Sequence, residues 1–192
     1  MHPVRWFGTM SLLALSPVAL AHTGVHPVAG FLSGFAHPFL GIDHLLAMIA
    51  IGLWAVAAAP RRVWLLPLAF VSVMGLGGWL GAAGIPLAYA ETGIAASVVL
   101  LGLLVSGRVR LSPFTAVGLV GLFALFHGYA HGAEIGADVE LWAYATGFVA
   151  ATGLLHLTGI VLGRLLLAKP LWYRSCGAAM SAMGLALLTQ AL

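Results

Sequence analysis

Cysteine is all but missing from this chain of 192 residues, with Cys176 the single example. One sulfur excludes an internal disulfide and any metal site built on more than one thiolate, so a metal held here has to be bound by nitrogen and oxygen. Charge is equally scarce: eight Lys and Arg and five Asp and Glu amount to 7% of the residues. No basic block offers itself to nucleic acid, no GxxxxGK[ST] loop offers to cradle a nucleotide, and there is no low-complexity tail. Polar stretches long enough to fold as a domain outside a bilayer are missing too. What remains is 62% hydrophobic with a mean hydropathy of +1.09. That suits neither a soluble domain nor a disordered segment and specifies an integral membrane protein, all-α in class.

The first 21 residues have the form of a secretory signal: Arg5, an apolar run to about Leu15, then Ser16-Pro17-Val18-Ala19-Leu20-Ala21 with a small-x-small cleavage pattern. Residues 1–21 are therefore expected to be removed, leaving His22 at the mature N-terminus and 22–192 as one transmembrane domain. A spanning helix needs about 20 apolar residues. Gly, Pro and charged punctuation divide the chain into six such stretches, about 39–59, 63–83, 87–106, 111–133, 141–167 and 171–192. With the N-terminus outside, Arg61, Arg62, Arg108, Arg110, Arg164, Lys169 and Arg174 all fall at cytoplasmic ends, as the positive-inside rule requires. Glu91, Glu134, Asp138 and Glu140 fall at the other side, and Trp54, Trp64, Trp79, Trp142 and Trp172 sit near helix ends as interfacial anchors. The expectation is a six-helix bundle, N-out and C-out. Three helices either side of the middle allow an inverted 3+3 repeat, although no internal sequence similarity marks one. The segment 28–36 is apolar but too short to span. It reads as a re-entrant piece, an interfacial piece or the outer part of a kinked first helix, in which Pro38 frees the carbonyl of Gly34. Gly77/Gly81, Gly128/Gly132 and Gly159/Gly163 are small-xxx-small pairs suited to close helix packing.

Against this apolar background two polar clusters stand out: His37-Pro38-Phe39-Leu40-Gly41-Ile42-Asp43-His44 and Phe126-His127-Gly128-Tyr129-Ala130-His131-Gly132-Ala133-Glu134. Ionisable groups inside membrane segments are costly and mark functional sites by default. At 100° per residue His127, His131 and Glu134 form one stripe of the fourth helix, and Gly128 and Gly132 clear room beside it. His37, Gly41, His44 and Met48 form a stripe of the first, with Asp43 about a quarter-turn away. One helix runs inward and the other outward, so both stripes lie at the same depth. Imidazole with carboxylate suits nickel, cobalt, zinc, copper or iron better than calcium or magnesium. His44, His127 and His131 are the candidate direct ligands, with Asp43 and Glu134 either binding or orienting the imidazoles. His37 either joins them or caps a helix, and Met48 suits packing better than ligation. His156, alone in the fifth helix, is either a second station or a histidine bonded to a backbone carbonyl.

The two clusters resemble, at every fixed position, the paired signatures of the HupE/UreJ family of nickel and cobalt permeases: His37-Pro38-x-x-Gly41-x-Asp43-His44 with Phe126-His127-Gly128-x-Ala130-His131-Gly132-x-Glu134. The resemblance implies a secondary transporter rather than an enzyme, taking Ni2+ or Co2+ across the bacterial cytoplasmic membrane for hydrogenase or urease maturation. It implies no tightly bound cofactor, a metal cation as substrate, and metal capture by His22, whose α-amine and imidazole can chelate together with His26 nearby. Lipid is the expected surrounding and a homo-oligomer is compatible, whereas nucleic acid and nucleotide are not expected partners. Other classes remain: a haem electron-transfer protein with His44 and His127 as axial ligands, an intramembrane metal hydrolase with Glu134 as general base, or a structural subunit.

Overall fold

A computed structural model describes residues 30–135 and 140–192. The signal segment, His22, His26 and Asp138 lie outside the described residues. Seven helices and no strand are found among the described residues: α1 (Phe31–Leu40), α2 (Ile42–Ala58), α3 (Leu65–Ala82), α4 (Ala90–Gly107), α5 (Pro113–Glu134), α6 (Leu141–Leu166) and α7 (Pro170–Leu188). Local sequence accounts for several boundaries. Ser33 exchanges hydrogen bonds with the amide (3.1 Å) and carbonyl (2.8 Å) of Gly30 at the start of α1. Ser112 caps α5 by accepting from the Thr115 amide, ahead of Pro113 in the first turn, where a missing N–H costs nothing. Pro170 opens α7 in the same way.

The helix expected over 39–59 is instead two helices, α1 and α2, which meet at Gly41 with a bend of 86°. Pro38 removes an amide donor inside α1, and Gly41 is extended at φ −94°, ψ 119°, so the hydrogen-bond ladder stops there and restarts at Ile42. Of the 28–36 segment, residues 31–36 are thus the body of α1, and 28 and 29 lie outside the described residues. Four helices, α3 to α6, are long and apolar enough to cross a membrane, and the bent α1–α2 pair counts as a fifth if it is one broken span. The expected sixth, α7, has 19 residues but carries Arg174, Ser175 and Ser181 and falls short of the same apolarity.

The most extensive packing joins α3 to α5, α4 to α7, α2 to α6 and α1 to α6. Glycine permits it. A Cβ on Gly128 would lie 2.0 Å from the Met74 carbonyl oxygen, and one on Gly132 2.0 Å from that of Gly78, so α3 and α5 touch backbone to backbone. Gly52 and Gly159 do the same for α2 and α6. The pairs α3·α5 and α2·α6 run parallel and α4·α7 antiparallel, as the advancing or reversing residue numbers of their glycine contacts show. Exchanging α2–α4 with α5–α7 turns the first pair into the second and maps the third onto itself, the relation expected of an inverted 3+3 repeat.

The middle of α2 is buried on every side, including Ala47, Met48, Ala50, Ile51, Leu53, Trp54 and Ala55. A helix apolar all round belongs at the centre, and α2 is therefore the hub that carries Asp43 and His44 at its first turn. Short connections gather the charges at two ends. Arg61, Arg62, Arg108, Arg110 and Lys169 lie in or beside the α2–α3, α4–α5 and α6–α7 connections, while Glu91, Glu134 and Glu140 lie at the opposite helix ends. The arginine-bearing end is tied together by the Trp54 indole donating to the Val109 carbonyl (2.8 Å), the Tyr173 hydroxyl to Leu53 (2.7 Å) and the Arg174 Nε to Ser106 (3.0 Å).

Candidate metal centre

Asp43 occupies the first turn of α2, where a carboxylate is favoured by the helix dipole. Its Oδ1 accepts from the His44 amide at 2.8 Å and contacts the His44 Nδ1 at 2.6 Å. A carboxylate can only accept, so the proton sits on Nδ1 and the lone pair of His44 is on Nε2. Gly41 makes this arrangement feasible, since a Cβ there would come within 2.8 Å of Asp43 Oδ1 and 3.0 Å of His44 Nδ1. His127, fully buried on α5, is set in the same tautomer by a different acceptor. Its Nδ1 donates to the Phe123 carbonyl at 2.9 Å, and its Nε2 has no hydrogen-bond partner among the described residues. Two imidazoles, each locked by its Nδ1 proton, thus keep Nε2 in ligand form.

The rings form a continuous run. His44 stands 5.1 Å from His127 and 4.3 Å from His131 between ring centroids, and His37 stands 4.7 Å from His131. The His37 Nε2 in turn lies 3.7 Å from a Glu134 oxygen. One ligand atom from each of His37, His131 and Glu134 lies within 4.8 Å of the others. Donors on a transition metal at about 2.1 Å sit roughly 3 Å apart, so rotamer adjustments of about an ångström would let these three share one cation. Exposure is graded along the run. Glu134 is exposed and His37 half-buried, whereas His131, His44 and His127 are 5%, 1% and 0% exposed. The cluster opens at the acidic end of the bundle and closes in its core.

Every clustered residue singled out from the sequence within the described segments, Asp43, His44, His127, His131, Glu134 and His37, is brought together. One part of that reading needs correction. His37 and His44 do not share a helical stripe, because the chain turns at Gly41; they reach His131 from two helices instead. Met48 is core packing. Gly128 and Gly132 make room for the backbone of α3 rather than for a ligand. His156 stands apart, and among the described residues neither of its ring nitrogens is bonded to a carbonyl. Phe70 packs against both His156 and the cluster, with ring centroids 5.4 Å from His156 and 5.6 Å from His127. Phe148, 4.4 Å from His131, and Tyr144, 6.0 Å from His37, wall the outer rings. The sequence reading missed these aromatics, since one more aromatic in an apolar helix carries no signal.

Long apolar helices packed around a buried run of imidazoles, with its mouth at a carboxylate, define a multi-pass membrane protein with a buried histidine cluster. A family model described as HupE / UreJ protein matches residues 10–187. Protein HupE of Rhizobium leguminosarum bv. viciae is 45% identical over 182 residues, which cover 94% of this chain and 95% of that one. The chain belongs to the HupE/UreJ family. No solved structure matches it.

Proposed function

We propose that this protein is a permease that takes up Ni2+ or Co2+ across the bacterial cytoplasmic membrane and supplies metalloenzyme maturation, of hydrogenase or urease. The observation that carries the proposal is the graded run from exposed Glu134 and half-buried His37 through His131 and His44 to fully buried His127. Such a run offers an incoming cation nitrogen and oxygen ligands in place of its waters, one or two at a time. Asp43 and Glu134 offset part of the divalent charge, which bare hydrocarbon would reject.

The topology proposed with it is six spans, N-out and C-out, with α1–α2 as a broken first span and α7 as the last. The arginine-bearing connections then face the cytoplasm and the mouth at Glu134 faces outward. His22 and His26, if exposed after signal cleavage, would capture metal ahead of that mouth. Metal entering a cell at 100 mV, inside negative, gains about 4.6 kcal/mol for its two charges, so the membrane potential can drive accumulation without nucleotide hydrolysis. The inverted pairing of α2–α4 with α5–α7 supports alternating access by movement of one triplet against the other.

A haem reading fits less well: the His44 and His127 rings, 5.1 Å apart, would have to part to admit a porphyrin between them.

The test is whole-cell metal content by elemental mass spectrometry, in a host lacking its own nickel and cobalt uptake. The unaltered chain is compared with His44→Ala and His131→Ala across nickel, cobalt, zinc, manganese and iron. A rise confined to nickel or cobalt and lost in both variants is expected; no rise in any metal, with the protein present in the membrane, would overturn the proposal.

A further inference from the structure

Deeper in the bundle than the histidine cluster, and in contact with Phe70, three buried polar atoms on α6 have no hydrogen-bond partner among the described residues: both ring nitrogens of His156 and the hydroxyl of Thr152. Both residues are 0% exposed. Four residues apart on one helix, they share a face, with Cβ atoms roughly 6 Å apart. The threonine is the telling member. Threonines within helices commonly return their hydroxyl to the carbonyl four residues back. Thr146 does so to Trp142 and Thr158 to Leu154, each at 2.9 Å on this same helix, but Thr152 does not. A neutral imidazole likewise carries one donor and one acceptor, and His156 has neither met. Unmet polar atoms in a native core call for an occupant.

We infer that His156 and Thr152 form a second, inner cation station, which receives transition metal released by the outer histidine cluster. An imidazole nitrogen and a hydroxyl oxygen are suitable ligands for a partly hydrated Ni2+ or Co2+, whose retained waters would satisfy the remaining groups. His127 is the innermost ring of the outer cluster, and its Nε2 also has no hydrogen-bond partner among the described residues. It and His156 both face Phe70, so a cation leaving His127 past that ring meets His156 next. The inference rests on the uptake reading above and adds to it a two-station path.

The experiment titrates the purified full-length chain with Co2+, reading stoichiometry by equilibrium dialysis and ligand type by visible absorption, alongside uptake in cells. The unaltered chain is expected to bind one more Co2+ than His156→Gln or Thr152→Val, and both variants to lose uptake by roughly tenfold or more. Thr152→Ser, which keeps the hydroxyl, restores both. Unchanged stoichiometry in His156→Gln and Thr152→Val overturns the station, whether or not uptake slows, since slowing alone would mean a water or proton path. If His156→Gln does not reach the membrane, the Thr152→Val and Thr152→Ser pair decides. Failure of the uptake reading looks different: no uptake by the unaltered chain, and Co2+ binding unaltered by His44→Ala.

Discussion

The rings of His44 and His131 meet 4.3 Å apart at an angle of 63°, one from the first turn of a helix and the other from the last turn of another. Neither position would be buried in an isolated helix. His44 is enclosed because α2 is the hub of the bundle, and His131 because the bend at Gly41 swings α1 and His37 across it. The site is therefore as sensitive to the backbone that aims these rings as to the rings themselves.

Gly41→Ala tests that dependence. The added methyl would lie 2.8 Å from Asp43 Oδ1 and 3.0 Å from His44 Nδ1, so the carboxylate and imidazole must shift from their present positions. Metal uptake is expected to fall roughly tenfold, as when an orienting partner of a ligating histidine is lost, with protein abundance in the membrane nearly unchanged. Asp43→Asn should produce a comparable loss by removing the charge while keeping an acceptor oxygen. Uptake at the unaltered level in both would show that the Asp43–His44 pair does not serve transport.

Two glycines of one helix should respond differently to alanine. Gly128→Ala forces a methyl against the Met74 carbonyl, whereas Gly118, also in α5, has nothing within 4 Å of its would-be Cβ. The first should destabilise the chain by about 1–3 kcal/mol through overpacking. The second should be neutral or stabilising by up to about 1 kcal/mol through helix propensity. Thermal unfolding in detergent distinguishes them, and equal effects would contradict backbone contact between α3 and α5.

Tyr173→Phe removes the buried hydroxyl that donates to the Leu53 carbonyl at 2.7 Å, a link across 120 residues of chain. A loss of about 1 kcal/mol is expected, read as a lower unfolding temperature. Metal uptake should be little affected, because the link lies at the end remote from Glu134.

Topology is open to a direct chemical test. In a Cys176→Ser background, Glu140→Cys should react with a membrane-impermeant maleimide in intact cells, and Arg110→Cys only after the membrane is opened. The reverse pattern would place the arginine-bearing connections outside and invert the proposed direction of transport.

Much of the site was legible in the sequence because its signals are local. His127 and His131 share a face by helical period alone, and Asp43 beside His44 is a pairing of neighbours. The relation of His37 to the others was misread, since a stripe drawn through Gly41 assumes an unbroken helix and the turn there depends on what α1 finds to pack on. Thr152 could have been noticed as the residue four before His156. Phe70 could not, because nothing distinguishes it from other aromatics in apolar helices. The inverted pairing left no trace in residue identities: the close approach it depends on asks only for small residues, and 25 glycines give many ways to place them.

The sequence by itself determined that the chain is an apolar helical protein, where its charges gather, and which residues bear metal-binding chemistry. These follow from the cost of polar groups in hydrocarbon and from the pitch of a helix, both of which act over a few residues. Only the tertiary structure decided that α2 is the centre, that the chain bends by 86° at Gly41, and that Phe70 packs against both His156 and His127. Those outcomes depend on contacts between segments far apart in the chain, where the fit of one backbone against another selects among arrangements that composition and periodicity leave equal.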